Sequence, residues 1–149
     1  MNRIFPYPLW IGHGGEERDL APIYEAGIEA VVELTVEEPP FASPRDLVTC
    51  RFPLLDGAGN QPERLALAVH TVAALLASET PTLVCCGCGT SRAPAVAAAA
   101  LAEVYGGSPV DWLERVTEHH HSDVSPGLWS EIVTLPRHGT APAAQPERA

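Results

Sequence analysis

A thiol and a guanidinium stand six positions apart in this chain, at Cys86 and Arg92, on either side of a glycine-rich segment. The apolar run 81–86 before the segment and the alanine-rich run 93–105 after it predict a strand-to-helix turn. The first N–H groups of a helix have no intrahelical partner, so they can bind an oxyanion without a lysine. Gly87 and Gly89 lack the Cβ atoms that would keep consecutive N–H groups from pointing at one anion. The predicted anion-binding residues are Gly87, Cys88, Gly89, Thr90, Ser91 and Arg92.

The residue types at the two ends of the segment indicate nucleophilic chemistry. A helix N-terminus and a neighbouring guanidinium favour the thiolate form of a cysteine, which makes Cys86 a candidate nucleophile. The planar guanidinium of Arg92 matches two phosphate oxygens and can bind the extra equatorial charge that develops during phosphoryl transfer to sulfur. The alternative interpretation of the same residues is a buried structural thiol in a tight turn.

The segment Cys86–Arg92 resembles the signature of the cysteine-dependent protein phosphatases, specifically the small dual-specificity type. That signature is His-Cys, two variable residues, Gly, one variable residue and Ser-Arg, and the chain satisfies every fixed position after the histidine. Residues 9–12, 52–56 and 125–128 also resemble family landmarks in the expected order, so the resemblance covers about residues 5–135. Two positions depart from the family: Cys85 replaces the histidine, and the late loop lacks the asparagine that usually braces the phosphate loop.

The resemblance implies a role for two further residues. Asp56, which follows an apolar run and opens a glycine-containing loop, matches the family's general acid, a group worth about 10² to 10⁴ in rate. From the residues alone, an aspartate before a glycine is equally well explained as turn chemistry. The Ser91 hydroxyl is implied to donate to the sulfur as it leaves. The predicted catalytic set is therefore Cys86, Arg92, Asp56 and Ser91, working without metal or cofactor by a ping-pong mechanism.

The other cysteines suggest modulation of this chemistry. Side chains alternate along a strand, so Cys85 is expected to point away from the pocket, and loss of the family histidine predicts slower turnover. Cys50 or Cys88 could trap an oxidised Cys86 as a disulfide. The competing interpretation makes Cys50 and Cys88 small buried fillers.

Metal binding is not expected at either cluster of metal-type ligands. Consecutive residues on a helix point in different directions, so His119 to His121 cannot share one ion and are expected to interact with the dipole at a helix end. Cys85, Cys86 and Cys88 are too crowded for tetrahedral zinc.

Composition limits the partners and the compartment. The 149 residues carry a net charge of −10 without a single lysine, which argues against nucleic acid and anionic membranes as partners. Pro6 and Pro8 interrupt the start of the chain, which is therefore not expected to be a signal peptide, and no apolar run approaches membrane-spanning length. Four cysteines in a chain without an export signal favour the cytoplasm.

The elements that must position these residues follow an alternating pattern. Apolar runs at 9–12, 30–35, 48–55 and 82–86 predict strands, and helical stretches separate them. Asn60 with Glu63 suggests a capping box, and Ser108 and Ser125 each precede a proline that can open a helix. We predict a three-layer α/β sandwich over residues 1–136, with a central, mostly parallel sheet of four to five strands and helices on both faces, followed by a disordered tail over 137–149.

These features together predict a phosphate monoester hydrolase, either a protein tyrosine or a dual-specificity phosphatase. Its expected substrates are phosphorylated proteins or small phosphate monoesters. A pseudophosphatase that binds phosphate with little or no turnover is the alternative. A third possibility, an arsenate-type reductase with Cys86 and Cys88 as a thiol pair, fits less well because it leaves Asp56 and Ser91 without a task.

Overall fold

The computed structural model of the chain describes residues 1–136 and 144–147, which fold around one five-stranded sheet. The strands are β1 (Asn2–Arg3), β2 (Leu9–His13), β3 (Ala30–Glu33), β4 (Val48–Arg51) and β5 (Thr82–Cys86). They lie in the order β1-β2-β5-β3-β4, and all neighbours are parallel except β1 and β2. The predicted mostly parallel sheet of four to five strands is confirmed.

The central strands are buried on both faces, and for this reason their sequences are continuous apolar runs. Every residue of β3 and β5 is buried, as expected for parallel strands covered by helices on each side. The strand predicted over 48–55 is shorter than expected, ending at Arg51. Phe52 still donates to the Glu33 carbonyl, but Pro53 has no N–H with which to continue the ladder.

Helices cover both faces of the sheet, so the predicted three layers are confirmed. The helices are α1 (Leu20–Glu25), α2 (Pro62–Ala77), α3 (Arg92–Tyr105), α4 (Pro109–His119) and α5 (Pro126–Val133). On one face, Ile23 of α1 packs with apolar residues of β3 and β5. On the other, α3 lies between α2 and α4, and its many alanines allow these close approaches.

The starts of the helices agree with the sequence at two positions and differ at one. Ser108 and Ser125 cap α4 and α5 as predicted, their hydroxyls accepting from the third backbone N–H that follows. The capping box predicted at Asn60 is wrong. Helix α2 begins at Pro62 after the N-cap residue Gln61, without a side-chain capping bond, and the Arg64 N–H, which such a bond could satisfy, donates to the Gln61 carbonyl at 3.1 Å. The Asn60 side chain instead bonds within the preceding loop.

Much of the predicted tail, residues 137–143 and 148–149, lies outside the described residues. Residues 144–147 form neither helix nor strand, and the Tyr7 hydroxyl donates to Gln145 Oε1 at 3.5 Å. The boundary at residue 136 and the disorder of the tail stay predictions. Within the described residues, the helices are too short or too polar to cross a lipid bilayer.

Candidate active site

The phosphate loop, residues 87–91, connects the last residue of β5 to the first residue of α3. Cys86 ends the strand and Arg92 begins the helix, which confirms the predicted strand-to-helix turn. The Cys86 thiol is only 2% exposed, and the backbone N–H of Ala93 donates to its Sγ at 3.4 Å. The second residue of α3 thus directs its N–H at the sulfur, so the thiol lies at the positive end of the helix.

Gly89 gives the loop its shape. Its φ of +75° lies in the left-handed region, and a Cβ there would come within 2.9 Å of the Gly12 carbonyl oxygen. A second contact lies next to the first, because the Gly14 N–H donates to the Gly87 carbonyl at 3.3 Å. The phosphate loop therefore rests directly on the end of β2 and the residue that follows the strand, and a glycine is required at position 89.

Arg92 is buried and held from one side of its guanidinium. Nη1 donates to the Leu54 carbonyl at 2.9 Å and to the two Glu37 oxygens at 2.9 and 3.1 Å. A Cβ on Gly87 would lie 3.1 Å from Nη2, which places that nitrogen against the phosphate loop. The anchoring of Nη1 thus orients the fork that can bind phosphate oxygens.

Glu37 is a site residue that the sequence interpretation missed. Besides its contact with Arg92, it accepts a hydrogen bond from the Thr35 hydroxyl at 2.5 Å. That bond lowers the pKa of the Glu37 carboxyl, partial burial opposes it, and the Arg92 guanidinium lowers it further, with a net lowering. The carboxylate is therefore a stable counterion for Arg92, and nothing in the local sequence distinguishes it from other surface glutamates.

Asp56 lies at the phosphate loop, as required of a general acid. The Ser91 hydroxyl donates to Asp56 Oδ1 at 2.5 Å and accepts from the backbone N–H of Ser125 at 2.9 Å. Asp56 is exposed, whereas Ser91 is buried. The hydroxyl proton is directed at the carboxylate here, so donation to the Cys86 sulfur requires the hydroxyl to rotate. Both assigned roles stay predictions.

Cys85 points away from the pocket, as strand alternation predicts. Its thiol donates to the Val32 carbonyl at 3.7 Å, and its side chain packs in the apolar cluster beneath α1, whereas Cys86 belongs to the cluster on the other face. The two adjacent cysteines therefore occupy opposite layers, and Cys85 cannot touch a substrate bound at the loop.

His120 braces the phosphate loop, a role that sequence reasoning did not find. Its Nε2 lies 2.6 Å from the Gly89 carbonyl and its Nδ1 lies 3.0 Å from the Asn2 amide nitrogen. The Asn2 amide nitrogen can only donate and the carbonyl can only accept, so the neutral tautomer with its proton on Nε2 satisfies both. His119 behaves closer to expectation, because its Nδ1 contacts the Arg115 carbonyl in the last turn of α4.

The sheet order corrects one predicted redox contact. Strand β3 separates β4 from β5, and Cys50 is level with Val84, not with Cys86. Two strand spacings alone put Cys50 about 10 Å from β5, beyond the ~7 Å limit between Cα atoms for a disulfide. A Cys50–Cys86 bond is therefore excluded in this fold, and only Cys88, which is exposed, stays a candidate partner.

The four cysteines, each within the described part of the chain, form no disulfide with one another. Across residues 1–136 and 144–147, no three histidine, cysteine or acidic side chains are grouped so that they could hold a metal ion.

The parallel sheet, with its cysteine-to-arginine loop between β5 and α3, has the fold of the small cysteine-based dual-specificity phosphatases. Human DUSP28 superposes with a TM-score of 0.78 at 23% identity, over 89% of this chain and 92% of that one. A mouse putative dual specificity phosphatase complexed with zinc tungstate gives 0.77 at 24% identity, over 88% and 82% of the two chains.

Human tyrosine phosphatase-like serine/threonine/tyrosine-interacting protein gives a TM-score of 0.74 at 19% identity, over 89% of this chain and 92% of its own. No family model and no curated protein sequence matches the chain. At these identities the likeness establishes the fold, and the chemistry must be argued from the residues.

We predict that Gly89→Ala abolishes tight oxyanion binding. The substitution forces an L residue into the left-handed region, at a cost of about 1–2 kcal/mol, and drives its Cβ into the Gly12 carbonyl. Titration with tungstate should show at least a ten-fold weaker affinity. Gly27→Ala is the matched control, because Gly27 has a similar φ of +73° and open space around it. That variant should lose stability and keep its affinity for tungstate; equal affinities in the two variants would contradict the prediction.

We also predict a pH-dependent contribution of Glu37 to stability. Its pKa is lowered in the folded protein, so the carboxylate stabilises the fold above the ordinary glutamate pKa of 4.5, and this contribution disappears as the pH falls through the lowered value. Urea unfolding should therefore separate wild type from Glu37→Gln at pH 7, and the difference between them should shrink as the pH is lowered below 4.5. Glu25→Gln, at an exposed position of α1, should match wild type throughout this range.

Proposed function

We propose that this protein hydrolyses phosphate monoesters through a phosphocysteine intermediate on Cys86, acting on phosphotyrosine or phosphoserine/threonine in proteins. The observation that carries the proposal is the meeting of three groups at one loop. The Cys86 thiol accepts from the Ala93 N–H, the anchored fork of Arg92 lies against Gly87, and Asp56 reaches the loop through Ser91. A nucleophile, an oxyanion-binding fork and a carboxyl at one concave turn are what phosphoryl transfer needs.

The first half-reaction forms a bond between sulfur and phosphorus. The Cys86 thiolate attacks phosphorus in line with the ester oxygen, whose bond to phosphorus breaks. Arg92 and the N–H groups of the loop bind the three equatorial oxygens as their charge develops. The departing alkoxide or phenoxide takes a proton from the Asp56 carboxyl and leaves as an alcohol or phenol.

The second half-reaction restores the enzyme. Asp56, now a carboxylate, removes a proton from water as the water oxygen attacks the phosphocysteine. The bond between sulfur and phosphorus breaks, inorganic phosphate forms, and the thiolate returns. The Ser91 hydroxyl stabilises the leaving thiolate after rotating from Asp56. The cycle consumes one water and needs no redox partner.

The fold and the charge support the proposed substrate class. Two of the similar structures carry the names of dual-specificity phosphatases, which favours phosphorylated proteins, and small phosphate monoesters are expected to serve as well. The chain has no lysine and a net charge of −10, which disfavours nucleic acid and anionic membranes as partners. Four cysteines that form no disulfide fit a reducing compartment, for which we propose the cytoplasm.

A phosphate-binding protein with little turnover is the second candidate, because Cys85 stands where the family's histidine would be and faces the opposite layer. The name of one similar structure, a tyrosine phosphatase-like interacting protein, describes a binding role on the same fold. The reductase alternative is weaker, because Asp56 and Ser91 contact each other at the phosphate loop, an arrangement that a thiol pair does not require.

The test is release of p-nitrophenol from p-nitrophenyl phosphate between pH 5 and 8, with reductant and chelator present. Wild type should turn over and Cys86→Ser should not, because the serine hydroxyl is not ionised at these pH values. Asp56→Asn should lower kcat by about 10²-fold, the lower end of the usual range for a general acid, because p-nitrophenol is acidic enough to leave with little protonation. If wild type and Cys86→Ser both bind tungstate and neither turns over, the binding protein is the correct function.

A further inference from the structure

The loop that carries Asp56, residues 55–60, has a defined shape although it contains two glycines. Asn60 closes it from inside: its Oδ1 accepts from the Leu55 N–H at 2.8 Å, and its Nδ2 donates to the Leu55 and Gly57 carbonyls at 3.1 Å each. We call this segment the acid loop. These bonds fix its shape and leave open what holds it against the phosphate loop.

Glu131 of α5 binds the acid loop from outside. Its Oε2 accepts from the Gly59 N–H at 3.1 Å, and its Oε1 accepts from the backbone N–H and the Nδ2 of Asn60 at 3.3 and 3.2 Å. One carboxylate thus takes three donors from two consecutive residues of the loop. Burial raises the pKa of the Glu131 carboxyl, but the three hydrogen bonds from Asn60 and Gly59 together lower it by more, so the net shift is downward and the carboxylate stays charged.

The first turn of α5 makes a second, independent contact with the acid loop. A Cβ on Gly127 would lie 2.8 Å from the Ala58 nitrogen, so the helix backbone and the loop backbone touch there. Only a glycine permits that approach. The residue that caps the same helix, Ser125, donates its N–H to Ser91 of the phosphate loop. Helix α5 and its cap therefore contact both loops whose relative position decides whether Asp56 can act.

We propose that Glu131 is a positioning residue for Asp56: the hydrogen bonds that its carboxylate accepts hold the acid loop against α5 and so keep Asp56 at the phosphate loop. The proposal rests on the proposed role of Asp56 as general acid. Without these hydrogen bonds, the glycine-containing acid loop can move away from α5, and the fraction of molecules with Asp56 at Ser91 falls. Proton delivery then slows, while Cys86 and Arg92, on β5 and α3, stay in place.

The kinetic test compares two substrates that differ in their need for a proton. Phenol has a pKa of about 10, so phenyl phosphate depends strongly on the general acid, whereas p-nitrophenyl phosphate releases a far more acidic phenol. In Glu131→Ala, kcat/KM for phenyl phosphate should fall at least ten-fold more than kcat/KM for p-nitrophenyl phosphate. Asp56→Asn sets the upper limit of this selective loss. An equal loss on both substrates would overturn the proposal.

Two further variants separate the loss of the Glu131 hydrogen bonds from general effects of the Glu131→Ala substitution. Glu118→Ala removes the same charge from an exposed position of α4 and should behave as wild type on both substrates. Glu131→Gln retains one carbonyl oxygen, which can still accept both Asn60 donors, so its selective loss should be smaller than that of Glu131→Ala. Glutamine and alanine variants with the same loss would contradict the assigned hydrogen bonds.

A measurement independent of turnover completes the test. Hydrogen exchange of the Gly59 and Asn60 amides, followed by NMR, should be at least ten-fold faster in Glu131→Ala than in wild type or Glu118→Ala. If these two amides exchange at the same rate in Glu131→Ala as in wild type, Glu131 does not hold the acid loop, whatever the kinetic result. If wild type hydrolyses neither substrate, the proposed function fails, and the exchange rates still decide whether Glu131 holds the loop.

Discussion

The N-terminus of α3, set against the end of β5, is the feature on which the rest of the site depends. The helix is buried along most of its length, so its first N–H groups can be satisfied only by the phosphate loop or by a bound anion. One of them, from Ala93, already points at the Cys86 sulfur. The alanines behind it let α2 and α4 pack close on either side. Strand β5, which ends at Cys86, and helix α3, which begins at Arg92, are thus held by the same core.

Burial of Arg92 imposes a second constraint. A guanidinium that is 5% exposed needs partners for its charge, because an unpaired buried charge is strongly destabilising. The partners come from two other parts of the sheet: Glu37 follows β3, and the Leu54 carbonyl follows β4. The same contacts that compensate the charge orient the fork toward the phosphate loop. One set of hydrogen bonds therefore both stabilises the buried charge and orients the guanidinium, and it ties the loops after β3 and β4 to the first turn of α3.

The parts of the site that could be predicted from the sequence are those encoded locally. Cys86 and Arg92 lie within seven residues, flanked by a strand and a helix whose patterns are strong, and the two serine caps at 108 and 125 are equally local. Glu37, His120 and Glu131 act on partners 31 to 72 residues away, and each is a polar residue of a type common on any surface. Their roles depend on which strands are neighbours, and the sequence pattern does not specify that order.

Asn60 and Cys50 show how this limit produces specific errors. The spacing of Asn60 and Glu63 fits a capping box, but α2 begins one residue later than that box requires, with Gln61 as its N-cap residue, which leaves the Asn60 side chain for the acid loop. Cys50 lies on a strand near β5 in sequence order, but β3 is inserted between them in the sheet. In both cases the local sequence is compatible with the predicted contact, but the arrangement of loops and strands in the whole fold gives the residue a different neighbour.

The two departures from the family signature, Cys85 and the missing asparagine, both concern bracing of the phosphate loop, and the connection between α4 and α5 provides such bracing. His120 contacts the Gly89 carbonyl, the Asp123 N–H donates to the Thr90 carbonyl at 2.7 Å, and the Ser125 N–H donates to the Ser91 hydroxyl. Three consecutive loop residues are thus held by a six-residue segment.

Two of the three donors are backbone groups, which any residue but proline supplies. A loop held in this way keeps its N–H groups oriented before a phosphate arrives, which is the condition for electrostatic stabilisation of the transferring group.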